Sequence, residues 1–478
     1  MTSPLTYHWR TCVVIGFFCV ALLSLSISAC KQAGSAVHPM IAEPNEALSG
    51  GDGTVQDASV NAFALPMPAL SAQDELVFFV GNSFFNQNWV QAPASTDARD
   101  GLGPHFNAKS CSGCHFKDGR GQPPAQIGQL SEGFLIRLSI PGHTSTGAPM
   151  PDPIYGGQFQ EHGIDQAKPE GQFEIIWEPV HGKYPDGTAY TLRKPQIRFF
   201  DLQYGNMHAE VMTSPRVAPQ MIGLGLLEAI DEKTILAQAD PDDADQDGIS
   251  GRANYVWNVI DAQQQLGRFG WKANEPTLLQ QISGAFNGDM GITTPYFSDQ
   301  HITSAQKELL ALANGGDPEM PEADLQKLHL YCATLAVPAR RNVDNSQVLR
   351  GKQLFLELGC DNCHTQTITT GTHPQFAVLN QQTIHPYTDL LLHDMGAGLA
   401  DGRPDFLASG TEWRTPPLWG IGLFQTVNKH TYYLHDGRAR NLEEAILWHG
   451  GEAATAQQQF MQLSKDDRAR LILFLESL

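Results

Sequence analysis

Two pentapeptides constrain this chain more than anything else in it. They are Cys111-Ser112-Gly113-Cys114-His115 and Cys360-Asp361-Asn362-Cys363-His364, both of the form CxxCH. Two thiols one helical turn apart can add to the two vinyl groups of a haem, and the adjacent His turns its imidazole onto the iron. With 8 Cys and 17 His in 478 residues, composition yields roughly 0.005 chance matches, so two by accident is on the order of one in a hundred thousand. The alternatives are a zinc site or redox-active CxxC pairs, and a zinc ribbon has no need of a His directly after both pairs. The pattern predicts two covalently attached haems c on Cys111, Cys114, Cys360 and Cys363, with His115 and His364 on the irons. Cys332, in the apolar helical stretch Leu325 to Leu335, reads as a buried bystander.

The amino terminus reads as an address. Residues 1–29 carry one charged side chain, Arg10, and an apolar run from Cys12 to Leu25 that ends in Ile27-Ser28-Ala29-Cys30. The run is too short for a span of ~20 residues and sits where a signal h-region belongs. It resembles a bacterial lipoprotein signal, in which Cys30 is lipidated and Cys12 and Cys19 leave with the signal; an uncleaved anchor helix is the alternative. Lys31 rather than Asp after the Cys favours the outer membrane. The expected location is therefore the periplasmic side of a bacterial membrane, with a lipid anchor as the only membrane contact. Residues 30–74, rich in Ala, Gly, Ser and Pro, read as a flexible linker. With 51 acidic against 31 basic residues, the formal charge is −20. Such a surface repels nucleic acid and steers a basic protein partner in.

The surroundings of the motifs suggest duplication. Val348 to Phe355 has apolar residues at helical spacing and stops at Gly359, as the first helix of a cytochrome c domain would. The first motif is introduced more loosely, by Gly81-Asn82-Ser83-Phe84-Phe85 and then a loop. Arg216-Val217-Ala218-Pro219 followed by Gly223-Leu224-Gly225-Leu226 parallels Arg414-Thr415-Pro416-Pro417 followed by Gly420-Ile421-Gly422-Leu423. The expected fold is mainly α, with two cytochrome c-like domains, the N-terminal one (75–340) enlarged by long loops and some β-structure, and a C-terminal one (341–478). Glu132 to Ser139 and Phe173 to Glu178 are candidate strands.

The stretch His435-Asp436-Gly437-Arg438-Ala439-Arg440-Asn441-Leu442-Glu443-Glu444-Ala445-Ile446 resembles the bacterial di-haem cytochrome c peroxidase and MauG superfamily. Tyr155-Gly156-Gly157-Gln158 and Asp247-Gly248-Ile249-Ser250-Gly251-Arg252 are similar to its di-haem oxidoreductase subfamily, whose members are labelled thiol oxidoreductases. The resemblance implies that His449 is the distal ligand of the C-terminal haem, where peroxidases carry Met; the rivals are a helix-terminal His and Met395. For the N-terminal haem, His143, His162, His208, Met212 and Met290 are all open as sixth ligands. Glu228 lies where peroxidases carry a catalytic carboxylate, although the Phe-Trp-Asp-Gly-Arg-like string of that region is absent. Trp271 and Trp257 are candidates for a place between the haems, an ordinary buried Trp being the commoner role.

Asp243, Asp245 and Asp247 with Gly248 match positions 1, 3, 5 and 6 of a calcium loop, with Asn254 in place of the bidentate Glu. The resemblance implies calcium as well; a solvated acidic turn is the alternative. The functional expectation is an exported di-haem oxidoreductase, peroxidase-like, with one haem at the substrate site and one relaying electrons. Its partners would be a small redox protein or small-molecule donor and a peroxide-like substrate. The alternative is a non-catalytic electron-transfer lipoprotein. A dithiol mechanism is disfavoured, because only Cys332 would remain free after haem attachment.

Overall fold

The computed structural model describes residues 41–96, 98–125 and 133–478. The signal segment and Cys30 lie outside the described residues. Residues 40–478 form one compact unit. Among the described residues, no helix is long and apolar enough to cross a membrane.

The mainly α expectation does not hold. The chain is 30% helical and 19% strand, the strands spread over many small sheets. The excess β-structure comes from the region between the two motifs. There Phe134–His143 forms the centre of a four-stranded antiparallel sheet with Pro149–Met150, Gln158–Phe159 and Met212–Val217. Phe134, Ile136 and Leu138 alternate into the core at 0–2% exposure, the period-2 pattern of a half-buried strand. Next comes a long hairpin, Gln172–Lys183 with Ala189–Phe200. Its tip reaches the C-terminal part of the chain, where the Tyr184 hydroxyl donates to Glu443 and Arg440 donates to the Thr191 carbonyl. Of the candidate strand segments, Phe173 to Glu178 falls within the strand Gln172–Lys183, and Glu132 to Ser139 overlaps the strand Phe134–His143 from Phe134 on, Glu132 itself lying outside the described residues.

The stretch expected to be a linker contains packed segments within its described residues, 41–74. Thr54–Val55 pairs in parallel with Val337–Pro338, and Phe63 and Met67 are 0% and 1% exposed. Low-complexity composition was misleading here because the contacts are long-range: a few apolar residues reach a distant strand and helix, and nothing local announces it.

The core shows the duplication in detail. Helix Ala72–Asn86 starts at the Ser71 cap and packs against Glu322–Ala333. Helix Ser346–Glu357 starts at the Asn345 cap and packs against Lys465–Ser477. In each pair a glycine allows the close approach. A methyl on Gly81 would strike the Lys327 carbonyl and Tyr331 Cβ; one on Gly351 would strike the Arg470 carbonyl and Phe474 Cβ. Four residues on, Phe85 lies 5.3 Å from the Tyr331 ring and Phe355 lies 5.2 Å from the Phe474 ring. The paired Gly-x-Gly strings complete the match. Gly225 abuts the Ala333 carbonyl and Gly422 the Glu476 carbonyl, while Gly223 packs on Trp419 and Gly420 on Ile222. The two halves thus meet at their own repeated strings.

Candidate functional site

Each CxxCH sits on one tight turn of helix: Cys111–Cys114 is a short α-helix and Cys360–Asn362 a 3-10 turn entered through Gly359, whose φ is 71°. In both, the His amide donates to the carbonyl of the first Cys, at 2.8 Å for His115 and 3.0 Å for His364. That bond lays the imidazole beside the thiols. None of the four thiols is in a disulfide. Burial pushes the Cys111 and Cys360 thiols up to about 12.

The two imidazoles are oriented alike. His115 Nδ1 is 2.7 Å from the Pro219 carbonyl oxygen and His364 Nδ1 is 3.0 Å from that of Tyr387. A carbonyl can only accept, so each Nδ1 carries the proton and each Nε2 keeps its lone pair. Burial lowers both imidazoles, His364 to about 4, which keeps them neutral, as coordination requires. Each ring also lies near its own half's repeated Phe, 6.3 Å for Phe85–His115 and 6.2 Å for Phe355–His364.

The second motif faces a cavity of about 460 Å³ whose wall includes Cys360, Cys363, His364, Met395 and His449. Both proposed distal ligands therefore reach it. His449 follows helix Leu442–Leu447, and its Nδ1 lies 2.7 Å from the Ala445 carbonyl oxygen. This is at once the helix-end contact considered above and the arrangement of the proximal rings, with Nε2 left over. The apolar wall comes from Leu442, Phe460, Leu471 and Leu475. Two histidines that sequence reasoning passed over also line it. His393 lies between Asp389 (2.8 Å) and Glu452 (2.6 Å) and 3.5 Å from the Cys363 sulfur. Those carboxylates hold it protonated. His435, quoted only as part of a resemblance, stacks on Trp413 at 3.6 Å and is lowered to about 3 by burial. The Asp389–His393 spacing of four was a visible signal; Glu452 was not.

Trp271 is 7% exposed, donates through Nε1 to the Val217 carbonyl at 2.8 Å, and lines the same cavity. Val217 stands two residues before Pro219, the acceptor for His115. Trp257, on the strand Tyr255–Asn258, is not part of that wall. The open ligand candidates of the first site are scattered. His143 is exposed at a strand end, His162 stacks on Phe106 at 5.3 Å, and His208 Nδ1 accepts from the Glu210 amide. Met212 begins a sheet strand and Met290 is 3% exposed at a helix end. Cys332 is 1% exposed.

Glu228 is not part of the cavity wall. Its Oε1 accepts from the Leu278 amide at 2.7 Å, and its Oε2 is 3.1 Å from His373 Nε2 and 3.8 Å from His329 Nε2. Although burial raises its carboxyl, His329, His373 and the Leu278 amide outweigh that and hold it down to about 2. A carboxylate so engaged is a poor proton donor at neutral pH. The acidic loop brings together Asp240, Asp243 and Asp245 rather than the 243, 245, 247 set. Asp247 Oδ1 caps the Ile249 amide, and Asn254 is turned inward to the carbonyls of Lys272 and Asp405. The twelfth position of a calcium loop is thus occupied elsewhere.

Two imidazoles with Nδ1 held by a carbonyl, each beside a pair of unbridged thiols, are the donor set that a covalently attached haem needs, and at the second motif a cavity adjoins it. The class is a haem-binding redox protein. The family model described as "Di-haem oxidoreductase, putative peroxidase" matches residues 45–478, and the chain belongs to that family. Its description makes the protein a di-haem oxidoreductase of peroxidase-like type, the subfamily that the motif strings resemble. No curated protein and no solved structure matches the chain.

Proposed function

We propose that the protein is an exported, lipid-anchored c-type oxidoreductase that reduces a peroxide-like substrate with electrons from a small redox donor. The observation that carries this reading is the pair of CxxCH turns with carbonyl-oriented imidazoles, one of which faces a cavity with His449. Reduction of hydrogen peroxide to two waters consumes two electrons and two protons, and two haems supply the one-electron carriers for it. In this scheme His115 and His364 hold the irons through Nε2, and the Pro219 and Tyr387 carbonyls fix both rings. His449, which lines the same cavity as His364, would supply a second imidazole to the haem there, leaving the first site for substrate. An additional imidazole donates more strongly to ferric iron than a thioether, which gives the second site the lower potential suited to a donor. Trp271 and Val217 supply a packed, hydrogen-bonded route from the Pro219 side to the second cavity. The acidic surface attracts a basic donor.

The test is the full chain made with a cytochrome c maturation system. Acid extraction should leave two haems bound per chain, ferric EPR should show one high-spin and one low-spin haem, and peroxide should oxidise the reduced protein. Two low-spin haems and no reaction with peroxide would establish the electron-transfer reading in its place.

A further inference from the structure

The second cavity carries two guanidinium groups that find no anion among the described residues. Arg414, 7% exposed, donates Nε to the Gly270 carbonyl and NH1 to the Thr415 carbonyl. Arg120, 5% exposed, donates to the Leu434 carbonyl, while its Nε is buried with no partner. Its guanidinium stacks over Trp271 at 5.0 Å and Phe424 at 5.8 Å. Both line the cavity with His364. A buried charge without a counterion costs several kcal/mol, so such a pair calls for a ligand.

The duplication sharpens the point. Arg216 is the counterpart of Arg414 in the repeated strings, and it has its carboxylate: Asp405 lies 3.0 Å away. Arg414 has none. Asp389 acts on it only from a distance and is bonded to His393. The other cationic ring of the wall, His393, is already flanked by two carboxylates. Asp436 acts on Arg120 only from a distance and is paired with Arg438, so neither guanidinium makes an ion pair among the described residues, and a haem brings two carboxylates of its own.

We propose that Arg120 and Arg414 anchor the two propionate carboxylates of the haem held by Cys360 and Cys363. This rests on the haem reading of the second motif. Charge-assisted pairing satisfies both guanidiniums in a water-poor site. It also gives the haem of the second half a partner from the first: Arg120 lies five residues past His115. A positive charge beside the macrocycle favours its reduced, more negative state, so these arginines raise the potential of that haem.

The experiment compares Arg120→Gln, Arg414→Gln and the corresponding Lys variants as purified holoproteins. Haem content is counted first; fewer than two haems in the parent protein would refute the haem reading itself rather than this assignment. With two haems present, each Gln variant should shift the same one of the two redox components downward. The expected change is about tenfold in its reduction equilibrium, ~59 mV for one electron. The resonance Raman propionate bending mode should shift with it. Lys variants, which keep the charge but lose the fork, should restore most of the potential and leave the Raman shift. Should one Gln variant fail to fold, its Lys variant and the Raman mode carry the test at that position. Unmoved potentials and Raman modes, movement of different haems by the two arginines, or a shift seen only after adding a small anion would overturn the proposal.

Discussion

The two halves of this molecule share a frame and differ in what stands opposite the iron-binding imidazole. Gly81 and Gly351, Phe85 and Phe355, Gly225 and Gly422 play matching parts. Yet the first motif follows its Phe after 111 − 85 = 26 residues, and the second after 360 − 355 = 5. The second half places His449 and Met395 across a cavity, while the ligand candidates of the first half are dispersed over strands, turns and a helix end. Packing is conserved where backbones touch, because a methyl there has nowhere to go. Chemistry diverged where side chains line open space.

The largest effect should come from removing either attachment pair. Cys111→Ala with Cys114→Ala, and Cys360→Ala with Cys363→Ala, should each lower the covalent haem count from two to one, read by pyridine haemochrome after acid extraction. The equivalence of the halves breaks if one pair can be removed with no loss of haem.

Next in size is His449→Ala, which should turn one ferric haem from low-spin to high-spin and move its potential. His115→Ala should perturb the other haem. If His449 serves only its helix end, the variant costs about 0.3–1 kcal/mol with no spin change, and Met395→Ala becomes the decisive variant.

A smaller, purely structural effect tests the shared frame. Gly81→Ala and Gly351→Ala each drive a methyl into a carbonyl of the partner helix, so each should cost about 2–3 kcal/mol by overpacking. Gly157, with nothing within 4 Å of an added Cβ, should tolerate Ala within about 0.5 kcal/mol. Thermal unfolding of the three variants measures this directly. A harmless Gly81→Ala beside a damaging Gly351→Ala would show that the first helix pair is only a loose copy.

Much of this was visible in the sequence wherever the signal was local. The CxxCH turns, the helix ending at Gly359 and the repeated Gly-x-Gly strings all rest on short spacings, whereas His449, which lines the second motif's cavity, is named from the family resemblance. What could not be read depends on contacts between distant segments. The chain is not mainly α because the inserted strands pair with one another, and no single short window weighs their total. Residues 41–74 look like a linker until Thr54 meets Val337. Arg120 belongs by sequence to the first motif and by position to the second cavity. Glu228 was placed by resemblance to a catalytic carboxylate, but its partners, His329 and His373, come from elsewhere in the chain.

That last cluster yields the smallest expected effect, and it joins the halves rather than repeating in them. Glu228 and His329 belong to the first half, His373 to the second. The Glu228 carboxyl titrates at about 2 in the folded protein against 4.5 for an unperturbed Glu. A folded value below the unfolded one means that its contribution is fully present above about pH 5. It is lost as the pH falls through about 2. Glu228→Gln keeps the shape and most hydrogen bonds but removes the charge, so it should cost about 1 kcal/mol at pH 7. The difference between parent and variant should shrink steadily between about pH 5 and pH 2, measured by urea unfolding at each pH. Both haem spectra and peroxide reduction should stay as in the parent. A large loss of peroxide reduction with unchanged stability would instead make Glu228 a proton-transfer group, and the joint between the halves part of the catalytic site.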